Sequence, residues 1–204
     1  MGLSLWLVPD KKNAEGLITI MNAVENNGSL SPASYPKFYP HITLASFPST
    51  MARCLETIGT SIPTLGTPLR CHFASVHVGS HYFRSVYIAI KPTLEIVDLR
   101  RRVHAALGVE PRTPSFPHLS LCYIDDADAE KGEREAFYKV LREGGNFKKE
   151  IGCDGKDTGV SLNLSFDPEV ENWSACVDVS EVWVAQCEGP VEGWTVLGKY
   201  PLAE

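Results

Sequence analysis

Pro40-His41-Ile42-Thr43-Leu44 and Pro117-His118-Leu119-Ser120-Leu121 share one pattern: proline, histidine, an apolar residue, a small hydroxyl residue and leucine. Successive side chains of a β-strand point to opposite faces. His41 therefore shares a face with Thr43, and His118 with Ser120, while Ile42 and Leu119 turn into a core. Two such strands brought face to face would let two imidazoles, each with a hydroxyl beside it, act as an acid/base pair.

The flanking sequence gives each motif a similar setting. Leu3 to Val8 reads as a strand stopped by Pro9-Asp10, and about 13–25 suits a helix with Leu17, Ile18, Met21 and Val24 on one stripe. A Ser- and Pro-rich loop then leads into the first histidine strand, about 38–47, and a weaker helix is expected over about 50–58. Arg70 to Val78 and Tyr82 to Ile90 form a hairpin pattern around Gly79-Ser80. Pro92 opens a helix over about 93–107, with Leu94, Val97, Val103 and Leu107 as its apolar positions and Gly108 as its cap. The second histidine strand, about 118–124, follows. A charged helix over about 129–142 and two strands over about 179–186 and 194–202 complete the pattern. Residues 145–172, rich in Gly, Asp, Lys and Asn, read as a flexible insertion or a lid, with a short strand near 160–166. This order predicts an α+β fold with mainly antiparallel sheets, built from two related halves.

Composition narrows the function. The 204 residues are 44% hydrophobic and 22% charged, as in ordinary globular domains. A formal charge of −6 and a pI near 5.5 argue against a protein that grips long nucleic acid by its phosphates. No basic leader and no apolar run of membrane-spanning length is present, so no membrane role is expected and the cytoplasm is the default compartment. The six cysteines are scattered with no C-x-x-C pair, so no structural zinc is expected and most read as small buried hydrophobes.

Two imidazoles with ordinary pKa values near 6.5 can divide acid and base roles. Displacing an alkoxide from phosphorus requires that water lose a proton while the leaving oxygen gains one on the opposite side. The hydroxyls of Thr43 and Ser120 would donate to the non-bridging phosphate oxygens. A lone P-H-x-[ST]-L would read as a structural strand histidine; the repetition favours a functional pair. Each motif offers a single metal ligand with no acidic cluster beside it, so no metal and no cofactor is expected. His72, His77 and His81 read as surface or structural residues, and His104, beside Arg100-Arg101-Arg102, as solvated.

Paired H-x-[ST] motifs in a chain of this length resemble the two-histidine (2H) phosphoesterase superfamily. Tyr82-Phe83-Arg84-Ser85-Val86-Tyr87-Ile88, Tyr123 after the second motif and the strand around Trp183 resemble its plant and fungal cyclic nucleotide phosphodiesterase branch. The likeness runs from Leu3-Ser4-Leu5-Trp6-Leu7 to Tyr200-Pro201-Leu202. It implies a single bilobal domain whose two sheets and flanking helices surround a central cleft. It also implies metal-independent opening of 2′,3′-cyclic nucleotides to 2′-phosphates, and of ADP-ribose 1″,2″-cyclic phosphate, a tRNA-splicing by-product, to ADP-ribose 1″-phosphate. In that reading His41 protonates the leaving 3′-oxygen and His118 activates water, though the exchanged assignment, which would leave a 3′-phosphate, stays open. Thr43 and Ser120 hold the phosphate, Tyr123 is a further phosphate partner, and Phe83 and Trp183 are candidate base-stacking rings. A small cyclic-phosphate nucleotide as substrate and a monomeric state are expected. The competing readings are an RNA-end-processing relative of the 2′–5′ RNA ligase-like phosphodiesterases, and a nucleotide-binding module without turnover.

Overall fold

The computed structural model describes residues 2–111, 116–165 and 170–203, the side chains of 52–54 excepted. The chain begins with β1 (Leu3–Pro9) and α1 (Lys11–Met21), then β2 (Ile42–Phe47), a 3₁₀ turn (Ser49–Cys54) and α2 (Leu55–Ser61). It continues through the hairpin β3 (Leu69–His81) and β4 (Arg84–Ile90), α3 (Leu94–Leu107), β5 (His118–Cys122), α4 (Asp126–Ala129) and α5 (Glu133–Glu143). β6 (Phe147–Ile151), β7 (Asp157–Asn163), β8 (Trp173–Ser174), β9 (Cys176–Gln186) and β10 (Thr195–Pro201) follow. This is the expected α+β architecture, with each histidine strand entered from a strand or hairpin and a helix.

The main sheet has seven strands in the order β1-β2-β5-β4-β3-β9-β10, and β1 also pairs with β9. The long β9 makes this closure possible: Cys176 to Val179 pair with β3, while Val179 to Gln186 pair with β1. The recorded pairs in this sheet are antiparallel. All of β1 is buried, because both of its faces are covered. Leu3, Leu5 and Leu7 join the main core beneath the helices, and Trp6 and Val8 join a small aromatic cluster on the other face.

Local chemistry sets the helix ends. The Asp10 side chain caps α1 by accepting from the Asn13 amide at 2.9 Å. Gly108, at φ 62°, ends α3 in the left-handed region where glycine is favoured. Gly132, at φ 88°, divides the expected continuous charged helix into α4 and α5.

Several expectations shift. The hairpin turns at Tyr82-Phe83, with His81 opposite Arg84, instead of at Gly79-Ser80. Gly79 lies within β3, where any side chain would collide with the Arg84 carbonyl. On α3 the inward stripe is Ile96, Leu99, Val103 and His104, so Leu94 and Val97 face solvent. His104 is therefore buried instead of solvated, its Nδ1 donating to the Arg100 carbonyl at 2.8 Å. Residues 145–172 fold mainly as the β6–β7 hairpin, with Leu164 packed on Gly16 of α1 and Gly159 near the Phe73 carbonyl of β3. The part at 166–169, including the end of the expected strand, lies outside the described residues. The described cysteines 71, 122, 153, 176 and 187 are free thiols.

Candidate active site

The two motifs meet across the β2–β5 seam, where Ile42 pairs with Leu119. Both of these are fully buried in the main core, as the alternation demands. Continuing the antiparallel register from that pair would set His41 across from Ser120 and Thr43 across from His118. Neighbouring strands extend the row: Trp6 pairs with Thr43, and Tyr87 pairs with Ser120.

The proline of each motif has a structural consequence. It holds the preceding residue extended, and in both motifs the imidazole Nδ1 then meets the carbonyl two residues upstream. His41 Nδ1 lies 2.7 Å from Tyr39 O, and His118 Nδ1 lies 3.5 Å from Phe116 O. A carbonyl only accepts, so the short His41 contact places a proton on Nδ1 and leaves Nε2 as the free edge of the ring. His118 shares the arrangement with a longer, weaker contact.

Both imidazoles line one small cleft of about 70 Å³, together with Ser4, Trp6, Thr43, Ser46, Phe83, Ser120, Tyr123, Cys187 and Trp194. A water occupies about 30 Å³ of liquid, so the cleft accommodates a phosphate-sized group and leaves a nucleoside to extend over its rim. No carboxylate is among the lining residues. Larger hollows exist, one of 580 Å³ between α1 and residues 35–39, but no histidine lines it.

Burial governs the electrostatics. His41 is 7% exposed, and desolvation pushes its pKa down from 6.5 to about 4, against the opposing pull of its bond to Tyr39 O; the nearby His118 lowers it further. The His118 pKa is also lowered, first by desolvation, with its Phe116 contact opposing and the Arg84 charge adding to the shift. Both rings are therefore neutral in the empty site at pH 7, and a bound anion would favour their charged forms.

The hydroxyls occupy different states. Thr43 is half-buried on the cleft wall. Ser120 Oγ donates to Phe83 O at 2.7 Å, and the Tyr123 side chain lines the cleft beside it. Tyr123 follows the last residue of β5, and leaving the regular strand lets its ring enter the Ser120 side. Its ring stacks on Phe38 at 4.0 Å, and its pKa is raised chiefly by burial. Phe38 and Tyr39 belong to a loop fastened from below. Ser31 N and Ser34 Oγ both donate to the buried Asp128 at 2.8 Å, and Tyr35 N donates to Tyr123 O at 2.9 Å.

Of the residues singled out in the sequence, His41, His118, Thr43, Ser120, Tyr123 and Phe83 converge on the cleft. Trp183 does not. It lies on the flank beyond Trp6, packed on Tyr39, with Lys199 Nζ 3.8 Å above its ring and Nε1 donating to Glu181. Trp6 and Trp194 were missed as cleft residues. Trp6 was detectable, because period-two alternation along β1 sets Ser4 and Trp6 on the face opposite Leu3, Leu5 and Leu7. Trp194 carried no such signal, since it precedes β10 and is placed by tertiary packing. No group of three or more His, Cys, Asp or Glu among the described residues is arranged to hold a metal ion.

A large antiparallel sheet that presents two H-x-[ST] strands to one cleft is the arrangement of the two-histidine phosphoesterases. The chain belongs to the cyclic phosphodiesterase-like protein family, whose profile matches residues 1–202. It is similar to the 2′,3′-cyclic-nucleotide 3′-phosphodiesterase of Yarrowia lipolytica, with 25% identity over 97% of this chain and 98% of that one. The Kluyveromyces lactis protein of the same name is 26% identical over 98% of each chain. Escherichia coli LigT, crystallised with 3′-AMP, shares the fold with a TM-score of 0.55 at 12% identity, covering 100% of this chain and 98% of that one.

Proposed function

We propose that this chain hydrolyses 2′,3′-cyclic nucleotides to nucleoside 2′-phosphates by two-histidine acid/base chemistry that uses no metal. The observation that carries this reading is the matched setting of His41 and His118: each Nδ1 turned to the carbonyl two residues back, both rings in one carboxylate-free cleft. His41 acts as the acid that protonates the leaving 3′-oxygen, and His118 as the base that takes a proton from water. Thr43, Ser120 and Tyr123 hold the non-bridging oxygens. Ser120 does so by turning its hydroxyl away from Phe83 O. The acid acquires its proton as the cyclic phosphate monoanion enters and raises the depressed imidazole pKa. ADP-ribose 1″,2″-cyclic phosphate presents the same five-membered ester and is opened to ADP-ribose 1″-phosphate by the same steps.

Incubating purified protein with 2′,3′-cyclic AMP in excess chelator tests this function. Formation of adenosine 2′-phosphate is expected. The 3′-phosphate alone would reverse the histidine roles, and no turnover would overturn the assignment.

A further inference from the structure

The cleft is too small for a nucleoside, so the body of a substrate crosses the rim, and the two flanks of that rim differ in charge. On the His41 side, the hollow around Tyr39 and Trp183 is edged by Asp10, Glu15 and Glu181 and by two lysines already engaged, Lys11 with Glu15 at 3.8 Å and Lys199 over the Trp183 ring at 3.8 Å. On the His118 side the rings of Phe116 and Tyr87 lie 5.4 and 5.5 Å from the imidazole. Arg84 extends over Phe116, its guanidinium carbon 5.6 Å from the ring centroid. None of the ion pairs among the described residues involves Arg84. Its charge nevertheless reaches His118, where it opposes protonation. Phe116 is 38% exposed, so part of its ring remains open to a ligand beside Arg84.

We propose that Arg84 is a specificity residue that binds a second phosphate, making nucleotides phosphorylated at the 5′ position preferred over nucleosides carrying the cyclic ester alone. This rests on the proposed reading of the histidine cleft and deepens it. A 5′ substituent lies across the ribose from the 2′,3′ edge. Phe116 lies 5.4 Å from the His118 ring and carries the Arg84 guanidinium carbon 5.6 Å from its own centroid, so Arg84 stands one ring beyond the histidine on the side a substituent leaving the cleft there would meet. Guanidinium suits the task, because its fork matches two phosphate oxygens while its plane rests on an aromatic face. Phe116 and Tyr87 supply apolar surface for the sugar between the two anions.

The test compares affinities by titration calorimetry for two product-like ligands, adenosine 2′-monophosphate and adenosine 2′,5′-bisphosphate. The wild-type protein is expected to bind the bisphosphate about tenfold more tightly, the scale of one charge-assisted hydrogen bond. In Arg84→Ala the ratio is expected to fall to near one, and in Arg84→Lys to be partly restored. A ratio near one in the wild type, or one unchanged by Arg84→Ala, overturns the proposal. So does a failure to bind either ligand. Failure to hydrolyse 2′,3′-cyclic AMP with the affinity ratio intact would sink the catalytic reading and leave the Arg84 subsite standing.

Discussion

Trp6 lies flat against His41, ring centroids 4.0 Å apart and planes within 16° of parallel. The contact joins the first strand of the chain to the first histidine motif, and Trp6 also pairs with Thr43 of that motif. An indole face favours a cationic ring over a neutral one, so it supports imidazolium formation at a site where burial opposes it. Trp6→Leu keeps apolar volume and removes the face. We expect kcat on a cyclic nucleotide to fall roughly two- to thirtyfold, the equivalent of about 0.5–2 kcal/mol. An unchanged kcat with an intact melting temperature would remove Trp6 from the mechanism.

His41→Ala and His118→Ala should each cost roughly 10²–10⁴ in kcat, the usual contribution of a positioned proton-transfer group. The double variant should be little worse than the more damaged single variant, since the two groups act in one step. Steady-state kinetics on 2′,3′-cyclic AMP decides this. Near-wild-type turnover in either single variant would exclude that histidine.

Stability should depend on pH through His41. Its pKa is about 4 in the fold and 6.5 as a free imidazole, so between these values the unfolded chain binds the extra proton. Stability therefore rises with pH across that window and is lost as pH falls through it, by about 3 kcal/mol for this group. Urea unfolding near pH 7 and near pH 4 should show a smaller loss in His41→Gln than in the wild type. Equal losses would contradict the buried neutral imidazole.

Gly79→Ala should disturb the site from outside it. The added methyl collides with the Arg84 carbonyl, a backbone atom that cannot move aside cheaply. The β3–β4 turn carries Phe83, whose carbonyl receives the Ser120 hydroxyl. A loss of about 1–3 kcal/mol of stability is expected from such overpacking, with reduced kcat/KM. Unaltered thermal unfolding and kinetics would show that the hairpin gives way freely.

The site was more legible in the sequence than the fold around it. Alternation within each motif placed Ile42 and Leu119 in the core and the histidines on the other face, because strand parity is a local property. Tyr123 escaped that parity by lying just past β5. Trp183, read as a stacking ring, packs beyond Trp6 because the register of β1 on β9 carries it past the cleft. The closure of the sheet through β9 and the inward turn of His104 depend on contacts between distant segments, which no local pattern encodes. The hairpin turn was misplaced for a related reason: Gly79 marks a close approach of two strands, and the sequence signature of that approach is the same as that of a turn.

The most direct test of the two-histidine claim is the pH dependence of kcat/KM and of kcat on 2′,3′-cyclic AMP, from about pH 4 to about pH 9. The first reports the free enzyme and the second its complex. Both imidazole pKa values are lowered in the empty site, so kcat/KM should be a bell centred on the acid side of 6.5. It falls at low pH as the base is protonated and at high pH as the acid is deprotonated. The bound phosphate raises both values, so the kcat bell should lie to the alkaline side of the kcat/KM bell. A flat kcat/KM profile, or a kcat bell on the acid side of it, would contradict the account.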